Sequence, residues 1–143
     1  MLYRIDKGIL DGYTAKLVIL KIGTNNLYGD FNAGSEAEIA DGIKACVEKI
    51  RQKQPKAQVL LLGILPRQNS YFIGRIDKIN AIIGKLDDGD HVHYLDIGPA
   101  FIAPDRKGII KNLYKSDELH LLPPGYEVFM KQIHDKVAEL VAT

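Results

Sequence analysis

Cysteine is almost absent: Cys46 is alone in 143 residues. A lone thiol excludes an internal disulfide and a cysteine-rich metal site. A surplus of charge is missing too, since 19 Lys and Arg face 18 Asp and Glu. Without a basic stripe to meet phosphates, nothing points to a nucleic-acid partner. No apolar run approaches the ~20 residues that cross a bilayer, so no membrane span is expected. The opening "MLYRIDKG" carries polar residues where a signal peptide needs an apolar stretch. A cytoplasmic address is the default expectation, although a shortened front would also erase a targeting signal. No repeat, linker or low-complexity tract interrupts the chain, and residues 1–143 are expected to form one domain.

What is present is a change of hydrophobic period that recurs along the chain. "KLVILKIG" (Lys16 to Gly23) is a short, nearly continuous apolar run rich in Val and Ile. It suits a parallel strand buried on both faces. Ile39, Ile43, Val47 and Ile50 then share one helical face, and Ser35 with Glu38 reads as a capping box. "AQVLLLGILP" (Ala57 to Pro66) is a second buried strand. A second helix places Phe72, Ile76, Ile79, Ile83 and Leu86 on one face. "VHYLDIG" (Val92 to Gly98) is a third strand. A long loop leads to a last helix with Phe129, Ile133, Val137 and Leu140 along one side, and Pro124 or Gly125 near its start. "MLYRIDKGIL" reads as a short leading helix carrying Leu2 and Ile5. Alternation of strand and helix means α/β with parallel strands. Ligands of such open sheets bind beyond the carboxyl ends of the strands.

Two of those strand-end loops carry chemistry. In "KSDELHLLPPGY" (Lys115 to Tyr126), Asp117 and His120 stand three apart. A carboxylate on Nδ1–H holds an imidazole in one tautomer and orientation, as a general base requires. Taken alone, the pair also fits an ordinary solvated loop. In "KIGTNN", Asn25 follows a strand and can donate its amide to a developing oxyanion, worth ~3 kcal/mol in a transition state. Taken alone, the same residues fit plain turn chemistry.

Together, "LVILKIGTNN" and the distant "SDELHLLPPGY" resemble the SGNH (GDSL-type) hydrolases, closest to platelet-activating-factor acetylhydrolase catalytic subunits and related small acyl esterases. "GILPR" and "EIADGIKACVEKIRQKQP" share the likeness, which covers nearly the whole chain in order. The resemblance implies a three-layer flavodoxin-like α/β fold and hydrolysis of carboxylic esters, often short acyl or acetyl, without metal or cofactor. It implies His120 as general base, Asp117 as its orienting carboxylate and Asn25 as an oxyanion donor. Gly23 would let the backbone turn under the site. Asn26 stands where many members have Asp.

One departure is large. The family's nucleophilic Ser lies in a Gly-Asp-Ser block after its first strand, and a second block supplies a Gly N–H to the oxyanion hole. Neither block occurs in these 143 residues. The chain resembles the stretch that begins just after the second block, so about three parallel strands are expected. Ser35 is explained as a helix cap, while Ser70 and Ser116 lie in strand-end loops. "KLVILKI" would become a sheet edge, which invites pairing with a second copy. A homo-oligomer is therefore expected. The functional alternatives are an ester hydrolase domain inactive by itself and a non-catalytic, self-associating or ligand-binding remnant. Of the remaining candidates, Arg67 can meet an anionic substrate group or form a surface ion pair. His91 and His93 flank Val92 with Asp90 near, conceivable as metal ligands but also a solvated strand edge. Cys46 reads as a core thiol, and His134 as exposed.

Overall fold

A computed structural model describes residues 1–27 and 34–143. Three parallel strands form one sheet in the order β1-β2-β3. They are β1 (Leu17–Leu20), β2 (Gln58–Leu62) and β3 (Val92–Leu95). Each is shorter than its apolar run, because the ladder ends where a partner ends while the apolar residues continue into loops packed on the sheet.

Side chains alternate across the central strand. Val59 and Leu61 face one core, Leu60 and Leu62 the other. The first core is closed by α1 (Leu2–Asp6), α2 (Glu36–Lys53) and α3 (Ser70–Ile83), through Ile5, Ile43, Ile50, Ile76 and Ile83. The second is closed by α4 (Pro123–Ala142) through Ile133 and Leu140, with Phe101 and Tyr114 from the long loop. The alternating periods imply the α/β class with parallel strands, and the resemblance implies the three layers seen here.

Helix starts follow local chemistry. The Ser35 Oγ accepts from the Glu38 N–H at 3.2 Å, and the Glu38 carboxylate accepts from the Ser35 N–H at 2.7 Å, completing the capping box. Asn69 caps α3 by accepting from the Tyr71 and Phe72 N–H groups, which leaves Ser70 as its first residue. The buried face of α3 is turned slightly from expectation: Ile73 is fully buried and Phe72 half-buried.

Asn80 is a polar side chain on this apolar face. Its Oδ1 accepts from the Ile64 N–H at 2.8 Å and its Nδ2 donates to the Ile64 carbonyl at 3.1 Å. Ile64 lies past the end of β2, where the sheet no longer satisfies its backbone. Asn80 thereby fixes the path into the loop that follows. Asn80→Ala leaves two buried backbone groups without partners, and is expected to lose about 2 kcal/mol. Urea unfolding checks this as a lower midpoint with unchanged slope.

Among the described residues β1 pairs with β2 alone, and its Ile19 is 43% exposed. Cys46 is buried and burial pushes its thiol pKa up, as a core thiol requires. The two histidines that flank Val92 go separate ways. His93 Nε2 meets the Gln58 side chain at 2.8 Å, and His91 Nδ1 meets Asp90 at 2.9 Å. Among the described residues, no three His, Cys, Asp or Glu gather as a metal would need. His134 is exposed, beside Asp135. No helix among the described residues is long and apolar enough to cross a membrane.

Candidate active site

The loop bearing His120 is a tight reversal. Tyr114 and Leu121 pair antiparallel, and inside them the Lys115 N–H donates to the His120 carbonyl at 2.7 Å. Glu118 takes a left-handed φ of +54° at the bend. The Asp117 carboxylate organises the rest. One oxygen accepts from the Leu119 and His120 N–H groups, both at 3.0 Å. The other meets His120 Nδ1 at 2.6 Å. An ionised carboxylate only accepts, so in the neutral ring the proton sits on Nδ1 and the lone pair is left on Nε2.

The His120 side chain is 64% exposed, so this ion pair adds little to stability; what it supplies is orientation. The ring hydrogen bond from His120, followed by the two backbone N–H groups, holds the Asp117 carboxyl well below the usual carboxylate range. A lowered folded pKa contributes stability above the unfolded value, about pH 4, and loses it as pH falls through the folded one. The stability difference between the wild type and Asp117→Asn is therefore expected to shrink as pH falls below about 4. Urea midpoints between neutral and strongly acid pH measure it.

Two contacts clip this loop to the one after β2. The Tyr114 hydroxyl donates to the Pro66 carbonyl at 2.7 Å in a buried setting, and the Gln68 N–H donates to the Glu118 carbonyl at 3.3 Å. Burial pushes the Tyr114 phenol well above its ordinary pKa, so it remains a donor.

Asn25 arrives from the end of β1. Gly23 has φ +113°, where side chains are strained, and a Cβ there would meet Ile64 Cδ1 at 2.7 Å. The chain then makes a 3-10 turn over Thr24–Leu27, pinned by the buried Leu27. Arg67 supports this turn from below. It is only 2% exposed, donates from Nη1 to the Thr24 carbonyl at 3.0 Å, and lies over the Phe72 ring at 5.1 Å. The surface placement considered for Arg67 is therefore corrected: its guanidinium is buried, beside loop backbone and an aromatic ring. Phe72 reads as core in the sequence, and in the fold it is the platform for that cation.

His120 and Asn25 line the same cavity, of about 250 Å³. Ile22, Ile64, Leu121 and Phe129 form its apolar wall; Lys21 and Thr24 also border it. Asn26 faces a neighbouring cavity of about 590 Å³ between the end of β1 and helices α1 and α2, which Gly23 and Asn25 share. Arg67 lines neither. Ser35, Ser70 and Ser116 are also outside the first cavity, whose hydroxyl-bearing residues among those described are Thr24 and Tyr126. The sequence reading missed Lys21, Tyr126 and Phe129 at this wall. A lysine interrupting an apolar strand end was the available signal for Lys21.

Parallel strands whose carboxyl-end loops bring a carboxylate-held imidazole and an amide to one cavity have the layout of the α/β hydrolytic folds. Residues 1–128 match the GDSL-like Lipase/Acylhydrolase family, and the chain belongs to it. It is 30% identical over 145 residues to human platelet-activating factor acetylhydrolase IB subunit alpha1, covering 99% of this chain and 60% of that protein. Against rat subunit alpha2 the identity is 31% over 144 residues, with the same shares, 99% and 60%. The chain thus spans about 60% of the length of these relatives. Among solved structures, a carbohydrate acetylesterase from Sinorhizobium meliloti superposes with TM-score 0.71 at 22% identity, over 96% of this chain and 67% of that one. A GDSL-like lipase from Bacteroides thetaiotaomicron gives TM-score 0.71 at 19% identity, over 87% and 62%.

Proposed function

We propose that this chain carries the general base and one oxyanion donor of an acyl-ester hydrolase, and takes its attacking hydroxyl from outside these 143 residues. The observation that supports this most is the 2.6 Å contact between His120 Nδ1 and Asp117, at the cavity that Asn25 also lines. A hydroxyl presented to Nε2 would lose its proton to His120 as it attacks the ester carbonyl. Asn25 would donate to the resulting oxyanion, and Asp117 would stabilise the imidazolium. His120 would then return the proton to the leaving alkoxide. Water, activated in the same way, would release the acyl group as a carboxylate.

The test is hydrolysis of an aryl acetate by the isolated chain. The expected rate does not saturate and is unchanged in His120→Ala. Saturable turnover that disappears in His120→Ala would mean that the chain holds its own nucleophile.

A second, non-catalytic reading rests on β1 pairing with β2 alone among the described residues and on the exposed Ile19: the chain self-associates along this edge. Sedimentation at micromolar concentration is expected to give a dimer or larger species, and Ile19→Lys a monomer. A wild-type monomer would overturn it.

A further inference from the structure

The cavity beside His120 has an apolar wall and one ammonium. Lys21, the first residue after β1, lines it and also the neighbouring cavity. No Asp or Glu is among the described residues that line the His120 cavity. The Lys21 ammonium makes no hydrogen bond or ion pair with any described residue. Lys21 stands exposed at this wall, and partial burial pushes its ammonium pKa down. Glu38, in the neighbouring cavity, is committed to the Ser35 N–H at 2.7 Å.

A cation at the edge of an apolar wall matches an anion that brings an apolar tail. The volume sets the length of that tail. A dry cavity of roughly 150 Å³ takes benzene, a six-carbon ring. At about 250 Å³, this one exceeds what an acetyl group fills. We propose that Lys21 makes the His120 cavity a binding site for carboxylates of about eight carbons, with the carboxylate at Lys21 and Asn25 and the chain against Ile22, Ile64, Leu121 and Phe129. Such a carboxylate is the acyl product of the hydrolysis proposed above, so the substrate class rests on that reading: esters of medium-chain acids rather than acetates alone. The binding itself needs no nucleophile.

The experiment is an NMR titration of the isotopically labelled chain with sodium octanoate, 1-octanol and sodium acetate. Saturable shifts at Ile22, Asn25, Leu121 and Phe129 are expected with octanoate, and at least tenfold weaker binding with acetate. Lys21→Met keeps an unbranched apolar stem, one atom shorter, and removes the charge. It should weaken octanoate about tenfold, the scale of one charge-assisted contact, and leave octanol unchanged. Absence of saturable octanoate binding overturns the proposal. So does an equal loss for octanoate and octanol, or no loss for either. The two failures separate cleanly: octanoate binding bears on Lys21 alone, whereas aryl ester turnover bears on the nucleophile.

Discussion

Gly125→Ala is expected to cost about 3 kcal/mol net and to loosen the start of α4. Helix propensity alone argues the other way, since Ala is favoured over Gly by about 1 kcal/mol inside a helix. Packing decides the sign. A Cβ at Gly125 would collide with the Leu113 backbone carbonyl, and would lie 3.1 Å from Leu121 Cβ. A carbonyl cannot rotate aside as a side chain can, and this one already accepts from the Leu122 N–H at 2.9 Å. The helix end must move instead. Tyr126 and Phe129, which border the His120 cavity, move with it. Gly74→Ala is the control within α3: a Cβ there meets nothing within 4 Å. It should stabilise by about 0.5–1 kcal/mol. Urea midpoints of the two variants, measured together, separate close packing from propensity.

Gly23→Ala is expected to be equally costly, about 3 kcal/mol, for a different reason. At φ +113° any Cβ brings backbone strain, whatever space surrounds it. The added carbon would also press on Ile64 Cδ1 and Ile43 Cδ1, at 2.7 and 3.1 Å. Those are flexible side-chain ends that can yield, so strain is the larger share. The turn that follows places Asn25, and relief of strain would shift the amide relative to His120. The expected signature is a lower urea midpoint together with altered amide shifts at Thr24, Asn25 and Asn26. An unchanged midpoint would contradict the strain assigned to this position.

The sequence made these backbone positions partly visible. A Gly closing an apolar run before "TNN" marks the end of a strand, and period two against period 3.6 separates strands from helices. The Ser35–Glu38 box and the Asp117–His120 pair were legible because both are made within one turn of chain. What stayed hidden depends on residues far apart in sequence. Arg67 reads as a substrate contact or a surface ion pair, and the approach of the β1 loop and Phe72 accompanies its burial. Asn80 looks like a polar position on a helix, and its role appears once the unpaired backbone of Ile64 lies beneath it. Lys21 stands in an apolar run, and the cavity that gives it meaning is formed by residues up to Phe129.

The central claim is an oriented base and an amide donor at one cavity that none of the chain's own serines enters. Incubation of the 143-residue chain with a fluorophosphonate, followed by peptide mass spectrometry, tests it most directly. The account predicts no adduct on Ser35, Ser70 or Ser116, with or without His120. A stoichiometric adduct on any of these serines, lost in His120→Ala, would contradict it.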